Sequence, residues 1–122
     1  MQTTTLQLLP TTTFGTPSGN YNGTSTFFAG VRAQAADYYG GFGQLQTFAF
    51  FLNAFQGIIT IQASLDTDPT SDVQWFPVNI YDASTSPVTD NFPVSITGNF
   101  TWLRAYVSDF QAGTITKLAV SY

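Results

Sequence analysis

Three carboxylates fall within the seven residues of DTDPTSD, at Asp66, Asp68 and Asp72. Hard oxygen ligands at that density suit Ca²⁺, which takes about six to eight of them. The stretch lacks the central Gly and the distal Glu of an EF-hand loop. The reading adopted is therefore a solvated turn, in which Asp side chains bond nearby amides and Pro69 fixes the bend. Glycoside hydrolysis is the other chemistry formally open to the acidic residues, Asp37, Asp66, Asp68, Asp72, Asp82, Asp90 and Asp109. It needs two carboxyls set across one bond, one with its pKa raised by its surroundings. The chain has no Glu, and most of these Asp residues stand among Ser, Thr, Pro and Asn, as turn residues do. With no His and no Cys, imidazole or thiolate catalysis, disulfides and His or Cys zinc sites are excluded. The expectation is a protein with no enzymatic activity, no cofactor and no metal.

A second candidate is a surface. In NFTWLRAYV one strand face carries Leu103, Ala105 and Val107, and the other carries Phe100, Trp102, Arg104 and Tyr106. The first set reads as core. The second combines aromatics with one guanidinium, and it can act in two ways. As a sugar platform, Trp102 and Tyr106 would stack on pyranose faces while Arg104 bonds hydroxyls. As a contact surface, the four would pack beneath the N-terminal segment or another subunit, where Trp, Tyr and Arg commonly form the energetic centre. The contact reading is adopted, with a glycan as the alternative partner.

The elements that hold these residues are strands. Short apolar runs separated by turn residues fall at 3–9, 25–31, 44–52, 58–65, 73–81, 92–97, 100–109 and 114–122. Their number and spacing predict an all-β fold, an antiparallel β-sandwich of jelly-roll type with about eight strands. Residues 32–39, RAQAADYY, fit either a short helix stopped by Gly40 and Gly41 or an irregular loop. The N-terminal residues 1–22, rich in Thr, Gly, Pro and Asn, read as an extended arm with few anchors beyond Leu6, Leu8, Leu9 and Phe14. Residues 23–122 read as one β-sandwich domain.

One near-repeat stands out. FQGIIT begins at Phe55 and FQAGTIT at Phe110. In the first copy Ile59, Ile61, Ala63 and Leu65 alternate with Thr60, Gln62 and Ser64, the pattern of a strand with one wet side. In the second, Thr116, Leu118, Val120 and Tyr122 read as one face, Ile115 is out of phase with it, and a bulge near Gly113 or Thr114 would restore the phase. Both copies read as strands entered through a Gly-containing bend.

Composition narrows the partners. Of the 122 residues 43% are hydrophobic, 16% aromatic and 8% charged, against about 25% charged in ordinary domains. The surface must consist largely of Thr, Ser, Asn and Gln, neutral groups that are readily covered by another protein. Three cations, Arg32, Arg104 and Lys117, are too few for the phosphate neutralisation on which nucleic-acid binding depends. MQTTTLQLLP has no positive n-region, and no apolar run approaches a membrane span, so neither nucleic acid nor membrane is expected as a partner.

Two families are similar in running text. ITIQASLDTDP, then WFPV, then FTWLRAYVSDFQAGTITKLAVSY resembles discoidin-like or galactose-binding-like jelly rolls over roughly the C-terminal half. Over most of the chain, TTTLQLLPTTTFGTPSGNYNG, LDTDP with WFPV, and TGNFTWLRAYVSDFQAGTIT resemble small virion structural proteins of tailed, T4-like phages of marine bacteria. That resemblance implies a capsid, neck or tail protein, made in the host cytoplasm and located in the virion. It implies a role in capsid decoration, contacts with capsid or tail proteins, and no catalytic residues. Self-association as a trimer is the expected state, because small phage surface proteins commonly sit on local threefold axes. A carbohydrate- or receptor-binding module of the neck, tail or fibre is the alternative.

Overall fold

The computed structural model describes residues 5–36, 38 and 45–122. The strands are β1 (Thr5–Leu9), β2 (Thr12–Thr13), β3 (Phe28–Ala29), β4 (Ala33–Gln34), β5 (Leu45–Ser64), β6 (Phe76–Asp82), β7 (Val88–Thr97) and β8 (Trp102–Ser121). Class and strand number are those expected. All eight belong to one antiparallel hydrogen-bonded sheet. β5 and β8 form its spine and pair along most of their length. β1, β2, β3 and β4 line the outer edge of β8, while β6 and β7 share the outer edge of β5.

Two runs expected as separate strands, 44–52 and 58–65, are continuous as β5, and 100–109 and 114–122 are continuous as β8. A straight strand of 20 residues would be about 66 Å long, far more than a domain of this size can span. Both strands therefore bend, and the near-repeat marks where. Ala54 and Asp109 have positive φ, 52° and 49°, and each is followed at once by Phe-Gln and then by a Gly. Gly113 has φ 88°, and a Cβ there would overlap the Ala54 carbonyl. The two bends cross at this point.

Consequences of the bend are visible in the rings. Tyr81 pairs with Ile59 and Phe92 with Phe50, rows about 30 Å apart on a straight strand. Their ring centroids are 4.8 Å apart, and Phe92 also stacks on Phe50 at 4.8 Å. The sheet has turned back on itself. Phe110, fully buried at the bend, gathers Tyr21 at 5.2 Å, Phe14 at 5.4 Å, Phe55 at 5.6 Å and Phe28 at 6.3 Å. Hence the repeated Phe: Phe55 and Phe110 fill the inside of the two bends.

The repeated Gln has its own task. The side-chain amides of Gln56 and Gln111 both donate to Ser84 O, at 3.0 and 3.2 Å. Gly57 and Ala83 exchange backbone hydrogen bonds beside them. Asp82 holds Ser84 in turn, accepting from its hydroxyl at 2.6 Å and its amide at 2.9 Å. These two bonds depress the Asp82 pKa, the hydroxyl contributing most.

The phase of β8 is restored elsewhere than expected. Ile115 and Leu118 are both buried with Thr116 and Lys117 exposed between them, and the register shifts there, opposite Phe51 and Leu52. The bulge lies at Thr116, two or three residues beyond the expected Thr114 or Gly113, because Gly113 is already committed to the bend. Thr116 is thus not on the face of Leu118.

Residues 32–39 form no helix among the described residues; Asp37 and Tyr39 lie outside them, as do residues 1–4 and 40–44. Ala33 and Gln34 pair with Leu103 and Trp102, and Ala35 N donates to Thr101 O. Ala33 and Ala35 alternate inward, and the free edge of β8 supplies backbone partners that outcompete a short helix. Within the segment expected as an arm, β1 pairs with β8, and Leu8, Leu9 and Tyr21 are 1% exposed. The Tyr21 hydroxyl accepts from Gly15 N at 3.0 Å. Leu8, Leu9 and Tyr21 are core residues.

Gly113→Ala should cost about 4 kcal/mol or prevent folding, since overlap adds to the left-handed backbone penalty of about 1–2 kcal/mol. Gly15 has φ 87° but open space around it, so Gly15→Ala should cost only about 1 kcal/mol. Urea denaturation of the two variants separates clash from backbone strain. For Asp82, a carboxylate whose folded pKa is depressed, the stabilisation is complete above the ordinary Asp range near 4 and is lost as pH falls through the folded value. A carboxyl ¹³C titration should place Asp82 below 3.8, and Ser84→Ala should move it upward.

Candidate functional site

The N-terminal part of β8 alternates as its sequence requires. Leu103, Ala105 and Val107 are fully buried, while Trp102, Arg104 and Tyr106 lie half-buried on the other face. That face is covered by the chain itself. The loop 66–75 folds over it from one side, and Arg32 and Tyr38 approach from another.

Each contact has a defined geometry. The Trp102 indole N–H donates to Thr67 O at 2.8 Å. The Arg32 guanidinium lies 4.3 Å from the Trp102 ring centre, and Tyr38 meets the same ring edge-on at 5.0 Å. Arg32 also pairs with Asp68 at 2.9 Å and donates to Pro69 O at 3.3 Å. Arg104 lies 4.5 Å over the Trp75 ring, donates through Nε to Gln62 Oε1 at 2.7 Å, and pairs with Asp72 at 3.1 Å. The result is two cation–π pairs, an attraction worth about 0.5–1 kcal/mol where exposed and about 2 kcal/mol where desolvated. Both tryptophans and two of the three cations of the chain are collected in this one region.

The loop is stiffened from within. Ser71 caps a short 3₁₀ turn, Asp72–Gln74, and Gln74 completes a capping box. The Gln74 side-chain oxygen accepts from Thr70 N and Ser71 N, both at 2.8 Å, and its NH₂ donates to Asp66 at 2.9 Å. Asp66, Asp68 and Asp72 thus serve three different partners: Gln74, Arg32 and Arg104. Among the described residues no three acidic side chains converge on one point.

Between the loop, residues 30–32 and β8 lies an open cleft of about 280 Å³, lined by Arg32, Ser71, Asp72, Trp75 and Arg104 among others. Of the residues singled out from sequence, Arg104 and Asp72 line this cleft, one from the aromatic stripe and one from the acidic loop. Trp102 sits under Arg32. Phe100 packs with Phe76 at 6.0 Å, and Tyr106 stands between its strand partners Thr60 and Ala29. Arg32 and Trp75 escaped sequence reasoning because they belong to other segments. The available signal was their scarcity, a second Arg and a second Trp in a chain with few of either.

Comparisons with protein-family models, with curated proteins and with solved structures gave no match.

The Arg104 side chain is 12% exposed and Asp72 is 91% exposed. Arg104→Ala should therefore cost about 2 kcal/mol, through the lost Gln62 bond and indole contact. Asp72→Asn should cost less than about 0.5 kcal/mol, as exposed pairs do. Chemical denaturation of both variants checks the difference.

Proposed function

We propose that the protein is a structural protein of a tailed-phage virion, a capsid decoration protein that stabilises the particle through protein–protein contacts. On this reading it is made in the host cytoplasm, acts in the virion and assembles as a homo-oligomer, with a trimer the expected state. It binds neighbouring capsid or tail proteins and has no catalytic role.

The observation that carries this reading is the β6–β7 edge. β6 is hydrogen-bonded to β5 on one side, and no second strand pairs with it among the described residues. Soluble proteins guard such edges with Lys, with Pro or with a cover. Neither β6 nor β7 contains a Lys or Arg. Pro77 and Pro93 interrupt the edge, yet Ile80 is 62% exposed, Phe76 36%, and Val73, just before β6, 89%. Apolar side chains beside unpaired backbone groups suit burial by another protein. The neutral Thr, Ser, Asn and Gln of the remaining surface support the same reading, since they are desolvated more cheaply than charges. Trp102 and Arg104 are already engaged by the chain's own loop, so the edge is the contact surface that this reading uses.

Light scattering of the purified protein should report an oligomer, and Ile80→Lys should shift it toward monomer while leaving the melting temperature of the fold within a few degrees. A map of the intact particle should find the β6 edge covered. A protein that is monomeric at high concentration and missing from purified particles would overturn the proposal.

A further inference from the structure

Arg32 and Arg104 form the cationic lining of the cleft, and neither is saturated. Arg104 uses Nε and one Nη, toward Gln62 and Asp72, and Arg32 uses its two Nη atoms, toward Pro69 O and Asp68. A guanidinium carries five N–H donors, so each retains donors in a geometry fixed by its other bonds. Asp72, 91% exposed, and the Ser71 hydroxyl add acceptors on the facing wall. The Trp75 ring, one face of which Arg104 covers, contributes apolar surface to the same wall. This is the pattern of a small polar site: a few fixed donors and acceptors around one aromatic ring.

We infer that this cleft binds a single uncharged sugar ring. Charge selects for a neutral ligand. The two guanidiniums are compensated by Asp68 and Asp72, and the chain carries a net charge of −4, so an anion would find no net positive charge and would face the exposed Asp72 carboxylate. A sugar hydroxyl both donates and accepts, and it meets the open guanidinium hydrogens and the Asp72 carboxylate without displacing either. Size selects for one ring. The 280 Å³ volume lies just below the range of about 300–1,000 Å³ usual for small-molecule sites. The site differs from the sugar platform that the sequence suggests, because Arg32 occupies a face of Trp102 and Tyr106 lies apart from the cleft. The inference does not depend on the virion reading, and its test uses the isolated protein.

The two indole N–H resonances provide the readout. Glucose, galactose, rhamnose and N-acetylglucosamine would be titrated separately into ¹⁵N-labelled protein, with sialic acid and glucose 6-phosphate as charged controls. At least one neutral sugar should shift the Trp75 indole saturably, with a dissociation constant on the order of 1 mM, and leave Trp102 nearly unmoved. Val31 lines the cleft and is 63% exposed, so Val31→Trp should fill the cleft without disturbing the core. It should weaken binding about tenfold or more while the Trp102 resonance keeps its position. No saturable shift with any neutral sugar, a response to the charged controls alone, or equal binding by a folded Val31→Trp variant would each overturn the inference.

Discussion

The close passage of β8 over β5, with Gly113 against the Ala54 carbonyl, is the constraint on which the rest depends. A twenty-residue strand pair is too long for a domain of this size, and it must turn within its own length while keeping its ladder. Left-handed residues at Ala54, Asp109 and Gly113 supply the turn, and a residue with no side chain allows the backbones to meet. Once the spine is bent, Phe55 and Phe110 point into the fold of the bend, and Phe14, Tyr21 and Phe28 close around Phe110. Tyr81 and Phe92 meet only because of that bend. Phe14, Tyr21, Phe28, Phe55 and Phe110 thus fill one corner.

A second consequence concerns the connection between β6 and β7. Two Gln side chains, one from each long strand, converge on Ser84 O. A single carbonyl therefore reads the position of both bends. The near-repeat of Phe-Gln is explained by this shared requirement, one ring inward and one amide toward the same carbonyl, and gene duplication is not needed to account for it.

Much of the fold was legible because β-structure writes its faces at period two. Ile59, Ile61 and Ala63, and likewise Leu103, Ala105 and Val107, are buried as alternation requires. Continuity through the bends was not legible, since Asn53, Ala54 and Gly57 carry the same local signals as a loop. The bulge at Thr116 was foreseen in kind and displaced in position, because its placement depends on a neighbouring strand. For β4 the sequence allowed helix or loop, and the free edge of β8 decided for strand. Two members of the candidate site, Arg104 and Asp72, were singled out from the sequence, but as parts of two unrelated features. Arg104 was singled out by its aromatic neighbours in sequence, but its partners Trp75, Gln62 and Asp72 come from other elements. Pairing across such distances leaves no local trace.

One further consequence follows from the pairing of β1. Thr5 and Ser121 are partners although 116 residues separate them, and Leu6 faces Val120. During synthesis Thr5 leaves the ribosome 116 residues ahead of its partner Ser121. Until then Leu8 and Leu9 have nothing to cover them. Until β8 is made the nascent chain is held open at this seam, and sheets dominated by such distant pairings are slow to close. Closure of this seam therefore waits for β8, and it brings Thr5 beside Ser121.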